Sequence, residues 1–388
     1  MSSTPGEARA AGGLRDLLVY FLRLGTFGFG GPVALVGYMQ RDLVERRRWI
    51  THDDYVRGLA LAQLAPGPLA AQLAIYLGWV RAGIVGATSV AVAFILPSFA
   101  MVLALSWAYV RAGGLPWMQA VFYGVAAAVI AIIARSAWKL VRLTLGRDRM
   151  LWALFTVNAV ITAWTATEIV WVFIASGLVA WLVKAPPRRH VAAMTLGATS
   201  WLTTGLHGAQ NPRVLVRLAG FFAEAGAFVF GSGLAIVPFL HGGVVGRFHW
   251  LDERQFLDAV AVAMITPGPV VITVAFIGYL VAGSAGAVAA ALGVFLPCYL
   301  LVIIPAPHYR RFADNRVLKA VVSGVTAAAT GAIAGAVIVL GRRAVIDVPT
   351  IAIAVAAFAV LTWGRRLPEP IVIAAAGVAG VIIKHFAA

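Results

Sequence analysis

The chain alternates long apolar runs with short polar connections, and many of the runs reach the ~20 residues that cross a bilayer. After a polar start, Met1–Gly13, come two segments broken by Gly and Pro, 14–46 and 52–82. Four further apolar stretches follow, near 83–110, 116–140, 150–165 and 167–184. A shorter apolar stretch, Val191–Leu206, leads into a second half built on the same plan. The pattern predicts an all-α polytopic membrane protein. It divides into a disordered tail (1–13), a first repeat (14–190), a connecting helix (191–212) and a second repeat (213–388).

The repeat is exact enough to align. Phe21–Pro68 laid on Phe222–Pro269 without gaps gives 15 identities in 48 positions. FGFGGP at Phe27–Pro32 answers FVFGSG at Phe228–Gly233, Trp49 answers Trp250, and Pro66-Gly67-Pro68 answers Pro267-Gly268-Pro269. One residue then drops out. Gly78, Gly83, Gly86, Leu96, Pro97 and Gly124 match Gly278, Gly283, Gly286, Leu296, Pro297 and Gly324 at an offset of 200. Matched Gly/Pro interruptions in two hydrophobic halves point to a transporter's binding site.

Charge sets the orientation. In the first half the loops Arg41–Arg48, Arg135–Arg149 and Lys184–His190 are rich in Lys and Arg, whereas Arg111–Pro116 and Thr165–Glu168 are poor. The rich loops are therefore expected in the cytoplasm. In the second half the bias inverts: Gly242–Trp250 keeps only Arg247, and Arg310–Lys319 carries four basic residues. Equivalent loops then face opposite sides, the mark of an inverted-topology repeat, although Arg342 and Arg343 run against it. Val191–Leu206 supplies the odd crossing between halves. The sides balance only if 52–82 enters and returns, turning at Pro66-Gly67-Pro68. Each arm of about 14 residues reaches ~21 Å, past the middle of a ~30 Å core. The segment 14–46 has the same form, because as one helix it would be ~50 Å long. Each repeat is thus expected to hold two re-entrant helical hairpins plus about four transmembrane helices, with the hairpin tips near mid-membrane.

The tips carry the candidate chemistry. Pro32 and Pro68 stand where a returning helix starts, a position that tolerates a missing N–H. The glycines beside them let backbone approach a ligand. Helix N-termini converging at mid-membrane offer N–H groups and positive dipole ends, an oxyanion site. The candidate binding residues are Phe29, Gly30, Gly31, Pro32, Pro66, Gly67 and Pro68, then Gly231, Ser232, Gly233, Pro267, Gly268 and Pro269. Gly233 stands where the first half has Pro32, so the halves are not equivalent. Gln63, Ser232 and Thr266 could add hydrogen bonds, or simply join helices.

Charged positions near the tips are few, and their sign flips between halves. Arg23 aligns with Glu224 and Arg57 with Asp258. Arg23 or Arg57 could hold a divalent oxyanion, with Glu224 or Asp258 as charge partner or proton carrier, each facing its counterpart or that of the other hairpin; interfacial snorkelling or a structural ion pair is the alternative. Asp53-Asp54 reads as solvation of a hairpin entrance, and Trp49 and Trp250 as interface anchors.

Composition narrows the function classes. With 61% hydrophobic and 12% charged residues, the chain has roughly half the charge a water-facing surface needs. The tail Met1–Gly13 lacks the apolar core of a cleavable signal peptide. The net charge of +16 lies in short loops, which fits membrane orientation rather than nucleic acid. Cys298 is the single cysteine, so a disulfide framework and a thiolate metal site are excluded within one chain. The sequence carries neither GxxxxGK[ST] nor an HExxH pairing, so ATP coupling, a metal site and a cofactor are not expected.

The run FLRLGTFGFGGPVALVGYMQRDLVERRRW at Phe21–Trp49, followed by Leu64-Ala65-Pro66-Gly67-Pro68, resembles the chromate ion transporter family. FVFGSG and Ile265-Thr266-Pro267-Gly268-Pro269 match that family's two-domain, long-chain form. The resemblance spans the chain from about Leu14. It implies a secondary transporter in the inner (cytoplasmic) membrane that expels chromate and confers chromate resistance, not an enzyme. Sulfate, nearly the same tetrahedral dianion, is the alternative cargo, and uptake or channel conduction the alternative directions. An intramembrane reductase or lipid transferase ranks below both for want of a redox cysteine and cofactor motif. The small-residue face Gly331–Gly335 makes a homodimer an available assembly.

Overall fold

The computed structural model describes residues 13–29, 31–112, 116–165, 170–185, 212–228, 236–308, 315–363 and 369–387. All regular structure among them is helical. The first half runs α1 (Leu14–Phe27), α2 (Gly31–Met39) with a π-helical extension (Gln40–Arg46), α3 (His52–Leu64), α4 (Leu69–Ala112), α5 (Pro116–Thr144), α6 (Arg149–Thr165) and α7 (Val170–Lys184). The second repeats the order: α8 (Pro212–Phe228), α9 (Ile236–His241) with a π-helical extension (Gly242–Arg247), α10 (Glu253–Ile265), α11 (Thr273–Ile303), α12 (Arg316–Ala344), α13 (Val348–Trp363) and α14 (Glu369–Ala387). The connecting segment 191–206 lies outside the described residues.

Sequence identity between the halves is modest, but the backbone repeats in detail. After each π-helical extension one residue takes a left-handed conformation, Arg48 (φ 52°) and His249 (φ 50°). A side chain there costs about 1–2 kcal/mol, so its use at both equivalent positions marks a turn the fold imposes. The turn is closed alike in both halves: the N–H groups of Trp49 and Trp250 reach the carbonyls of Leu43 and Val244, each at 2.8 Å. The next helix is then capped by side chains that differ in kind and agree in role. Thr51 Oγ1 accepts from the Asp54 N–H at 3.1 Å, and Asp252 Oδ1 from the Gln255 N–H at 2.8 Å.

α4 is one helix only by hydrogen-bond pattern. Ala82 (φ −148°, ψ 33°) and Gly83 (φ 58°, ψ −144°) break it, and Ala282 and Gly283 break α11 with nearly the same angles. The break is a reversal. Gly78 and Gly86 would lie ~12 Å apart on a straight helix, yet a Cβ on Gly78 would stand 2.5 Å from the Gly86 carbonyl oxygen. Gly278 and Gly286 repeat the contact at 2.3 Å. The chain from 52 to 82 is therefore a hairpin: α3, a break at 65–68, a returning arm, then a second reversal. Gly58 lies against Leu73 and Tyr76 of the returning arm, so the two arms pack side by side.

Among the described residues five helices are long and apolar enough to cross a membrane: Leu69–Arg111, Trp117–Arg142, Val270–His308, Lys319–Arg342 and Glu369–Phe386. In the first and third the reversal leaves only the second arm long enough. Trp171–Lys184 and Val348–Trp363 are shorter apolar helices.

The halves are exchanged, not side by side. α6 and α7 pack on α12 of the second half, while α13 and α14 pack on α5 of the first. Small residues permit this. A Cβ on Gly124 would meet the Ala376 carbonyl oxygen at 1.9 Å, and one on Gly324 the Ser176 oxygen, its equivalent, at 2.5 Å. Such close backbone approach is how helices associate where lipid removes the hydrophobic drive between them. Gly331 and Gly335 lie on the same interface, against Phe155, Ala159 and Thr162 of α6. The face expected to serve a homodimer is thus occupied within the chain.

Candidate functional site

Two of the hairpin breaks, one from each half, meet across the repeat boundary. The α1 break begins at Gly28, whose N–H closes the helix on the Leu24 carbonyl at 2.8 Å. The Gly28 carbonyl accepts a hydrogen bond from the N–H of Gly268, the centre of the second half's Pro-Gly-Pro, at 2.9 Å. Gly268 has φ 98° and Gly67 has φ 131°, conformations that suit glycine. Neither has room for a side chain. A Cβ on Gly268 would lie 2.0 Å from Ser98 Oγ, and one on Gly67 2.8 Å from Cys298 Sγ.

Ser98 and Cys298 are equivalent residues, and each bonds a carbonyl of its own half's first helix. Ser98 Oγ donates to Gly25 at 3.2 Å, and Cys298 Sγ to Gly226 at 3.5 Å. Each Pro-Gly-Pro is thus wedged against the other half's long arm, and Gly268 against the first helix as well. Gln72, fully buried on the arm returning from Pro68, donates its amide to the Pro66 carbonyl, and its Oε1 has no hydrogen-bond partner. Sequence reasoning passed over Gly28, Gln72, Ser98 and Cys298. The Ser98/Cys298 match at the repeat offset was the available signal.

The expected charge pairs do not form. Arg57 bonds Asp53 at 3.3 Å and approaches Asp54 at 3.9 Å, both on its own helix. Its counterpart Asp258 is 3% exposed and accepts a 2.7 Å hydrogen bond from Tyr109 of the first half. Neither Arg57–Asp258 nor Arg23–Glu224 is an ion pair among the described residues. The reason lies in the hairpin geometry: Asp53 and Arg57 stand one turn apart on an exposed face, whereas Asp258 faces the interior. Gln63 is exposed, and the Thr266 hydroxyl is committed to the Val262 carbonyl at 2.7 Å. Phe29 is half-buried and Gly31 and Pro32 open α2 as the sequence suggested. Gly30, Gly231, Ser232 and Gly233 lie outside the described residues.

Among the described residues, one polar cavity reaches the first tip and another lies beside the first turns of α10. One, of about 620 Å³, lies between α1 and the π-helical extension of α2, bordered by Arg23, Arg41, Arg47 and Tyr20, with Phe27–Phe29 at its wall. The other, of about 550 Å³, is bordered by Asp258 and Arg254 of α10, Tyr123 of α5 and Lys384 of α14. No cluster of metal-ligating side chains occurs among the described residues. The arrangement offers backbone dipoles, a buried carboxylate and exposed guanidinium groups, the last of which can bind anions.

The family described as Chromate transporter matches residues 15–181 and 216–381, one match per repeat. The chain is 56% identical over 396 residues to the chromate transport protein of Cupriavidus metallidurans, covering 98% of each. It is 56% identical to the probable chromate transport protein of Synechococcus elongatus (95% of each) and 32% identical to the chromate transport protein of Pseudomonas aeruginosa (95% of this chain, 92% of that one). No solved structure matches it. A double match over both repeats, with relatives aligned nearly end to end, makes this chain a member of the chromate transporter family.

Proposed function

We propose that the protein is a secondary transporter that exports chromate across the cytoplasmic membrane and so confers chromate resistance, the oxyanion passing between the hairpin tips at mid-membrane. The single observation that carries this reading is the Gly268–Gly28 hydrogen bond, which joins tips from opposite halves at the wall of a polar cavity. The relatives' printed names supply the cargo.

The reading includes an inverted-topology pair of repeats with re-entrant hairpins. It is supported by contacts that join chain ends assigned by the charge rule to one side. Lys184 bonds Asp148 at 2.7 Å, both in basic-loop regions, and Tyr123 bonds Asp347 at 2.6 and 2.7 Å on the opposite face. By the same rule the Arg23 cavity opens to the cytoplasm and the Asp258 cavity to the outside. An inside-negative potential favours outward movement of a dianion by ~2.3 kcal/mol per charge per 100 mV, so export needs no ATP site. Asp258 and Glu224 serve as charge partners or proton carriers in this scheme.

Expression in a chromate-sensitive host, with cellular chromate followed over time, tests the direction. Export predicts lower cellular chromate and growth at higher chromate than the empty vector allows; raised cellular chromate or raised sensitivity would reverse the direction.

A further inference from the structure

The two halves share a backbone scaffold, yet one copy of it is open and the other is filled. In the second half Phe221, Phe239, Phe248 and Trp250 stand at the positions of Tyr20, Tyr38, Arg47 and Trp49. Phe221 stacks on Phe239 at 5.3 Å, Phe248 stacks on Trp250 at 4.4 Å, and Phe221 meets both of the latter edge-on. Its ring also presses on Gly243, the equivalent of Asp42. Among the described residues of this copy, four aromatic rings thus fill the space between the first helix and the π-helical extension.

In the first half the Arg47 guanidinium takes the place of the Phe248 ring, 4.6 Å above Trp49 and 5.4 Å from the Tyr20 ring. Here the 620 Å³ cavity is open. Its charges are unevenly satisfied. Asp42 is neutralised by Arg41 at 2.9 Å and approached by Arg46 at 3.8 Å. Arg47 is held by aromatic faces, and Arg23 makes no hydrogen bond or ion pair among the described residues. Tyr20 is 6% exposed, and its hydroxyl has no hydrogen-bond partner. A buried hydroxyl without a partner is costly and calls for a ligand or water to complete it.

We infer that this cavity is a recognition site for a tetrahedral dianion, the point beside the tip at Gly28 at which cargo is selected. Arg23 and Arg47 supply the charge, Arg23 with a fork that matches two oxyanion oxygens. Tyr20 supplies a neutral donor that becomes satisfied when the ion arrives. The second half, with Phe221 and Glu224 in place of Tyr20 and Arg23, cannot offer the same site, so selection belongs to one half alone. The class of ligand rests on the transport reading above; the site itself rests on the open and plugged copies.

Equilibrium dialysis of the purified full-length chain against radiolabelled sulfate and against chromate, with nitrate as competitor, tests it. The expected result is saturable binding of the dianions that nitrate displaces poorly. Arg23→Gln and Tyr20→Phe, the latter installing the second half's residue, should each weaken binding roughly tenfold or more. Arg15→Gln, which removes an exposed charge from the same helix away from the cavity, should leave it unchanged. If Arg23→Gln does not fold, Arg23→Lys keeps the charge, loses the fork and should move binding the same way. No saturable binding, or binding indifferent to both substitutions, would overturn the site. Chromate flux with indifferent binding would retire the site and leave transport standing; Tyr20-dependent binding without flux would do the reverse.

Discussion

The backbone N–H of Gly268 donates to the carbonyl of Gly28 across 240 residues of chain, at 2.9 Å. That bond ties the second hairpin of one half to the first hairpin of the other, and it exists because neither position carries a side chain.

Gly268→Ala should therefore abolish transport and lower the melting temperature in detergent. The new Cβ would meet Ser98 Oγ at 2.0 Å, on a residue whose φ is already 98°. Gly83→Ala is the contrast: its φ is 58°, but a Cβ there meets open space, so only the left-handed cost of about 1–2 kcal/mol applies. Adding Ser98→Ala to Gly268→Ala removes the nearest clashing atom and should recover part of the lost stability, a non-additivity readable by thermal melts.

Tyr109→Phe should destabilise the fold by about 1.5–3 kcal/mol, because it leaves the buried Asp258 carboxylate without its 2.7 Å donor. Combining it with Asp258→Asn should cost less than the sum of the two. Equal and additive losses would mean that the hydrogen bond carries no coupling.

Gly331→Leu should unfold or destabilise the monomer without altering its oligomeric state, since the side chain would enter the space of Phe155 on α6, where a Cβ already lies 2.2 Å from the carbonyl oxygen. Size-exclusion chromatography beside a thermal melt separates the outcomes. A change in assembly at unchanged stability would restore the dimer face.

Acid should weaken the contact that joins the start of α6 to the end of α7. The Lys184 ammonium, bonded at 2.7 Å, holds the Asp148 carboxyl below its usual range. A depressed folded-state pKa means the stabilisation is present above the unfolded value of about 3.9 and fades as pH falls below it. Both side chains are about a third exposed, so the effect is small. Lys184→Met should lower the melting temperature at pH 7, and the difference should close below about pH 4.

Much of the architecture was legible because it rests on local signals. The Pro-Gly-Pro pair marked the turn of the hairpin at 52–82, and the Gly83 and Gly283 match falls where the structure reverses the chain again. The exchange of α6 and α7 onto α12 left no local trace; it depends on whether Ser176 and Ala180 fit against Gly324 in three dimensions. The charge flips at Arg57/Asp258 were visible, but their partners were not. Arg57 is answered one turn away by Asp53, and Asp258 by Tyr109, 149 residues distant. The Tyr20-to-Phe221 change was also on the page in the aligned halves. Only the packing of Phe239, Phe248 and Trp250 shows that it separates an open cavity from a plug.

The most direct test of the central claim is chromate accumulation by inside-out vesicles energised to an inside-positive potential, wild type beside Gly268→Ala at matched membrane content. The account predicts saturable accumulation by the wild type that collapses when the potential is dissipated, and none by Gly268→Ala. A wild type that accumulates no chromate, or a Gly268→Ala variant that matches it, would contradict an oxyanion path between the hairpin tips.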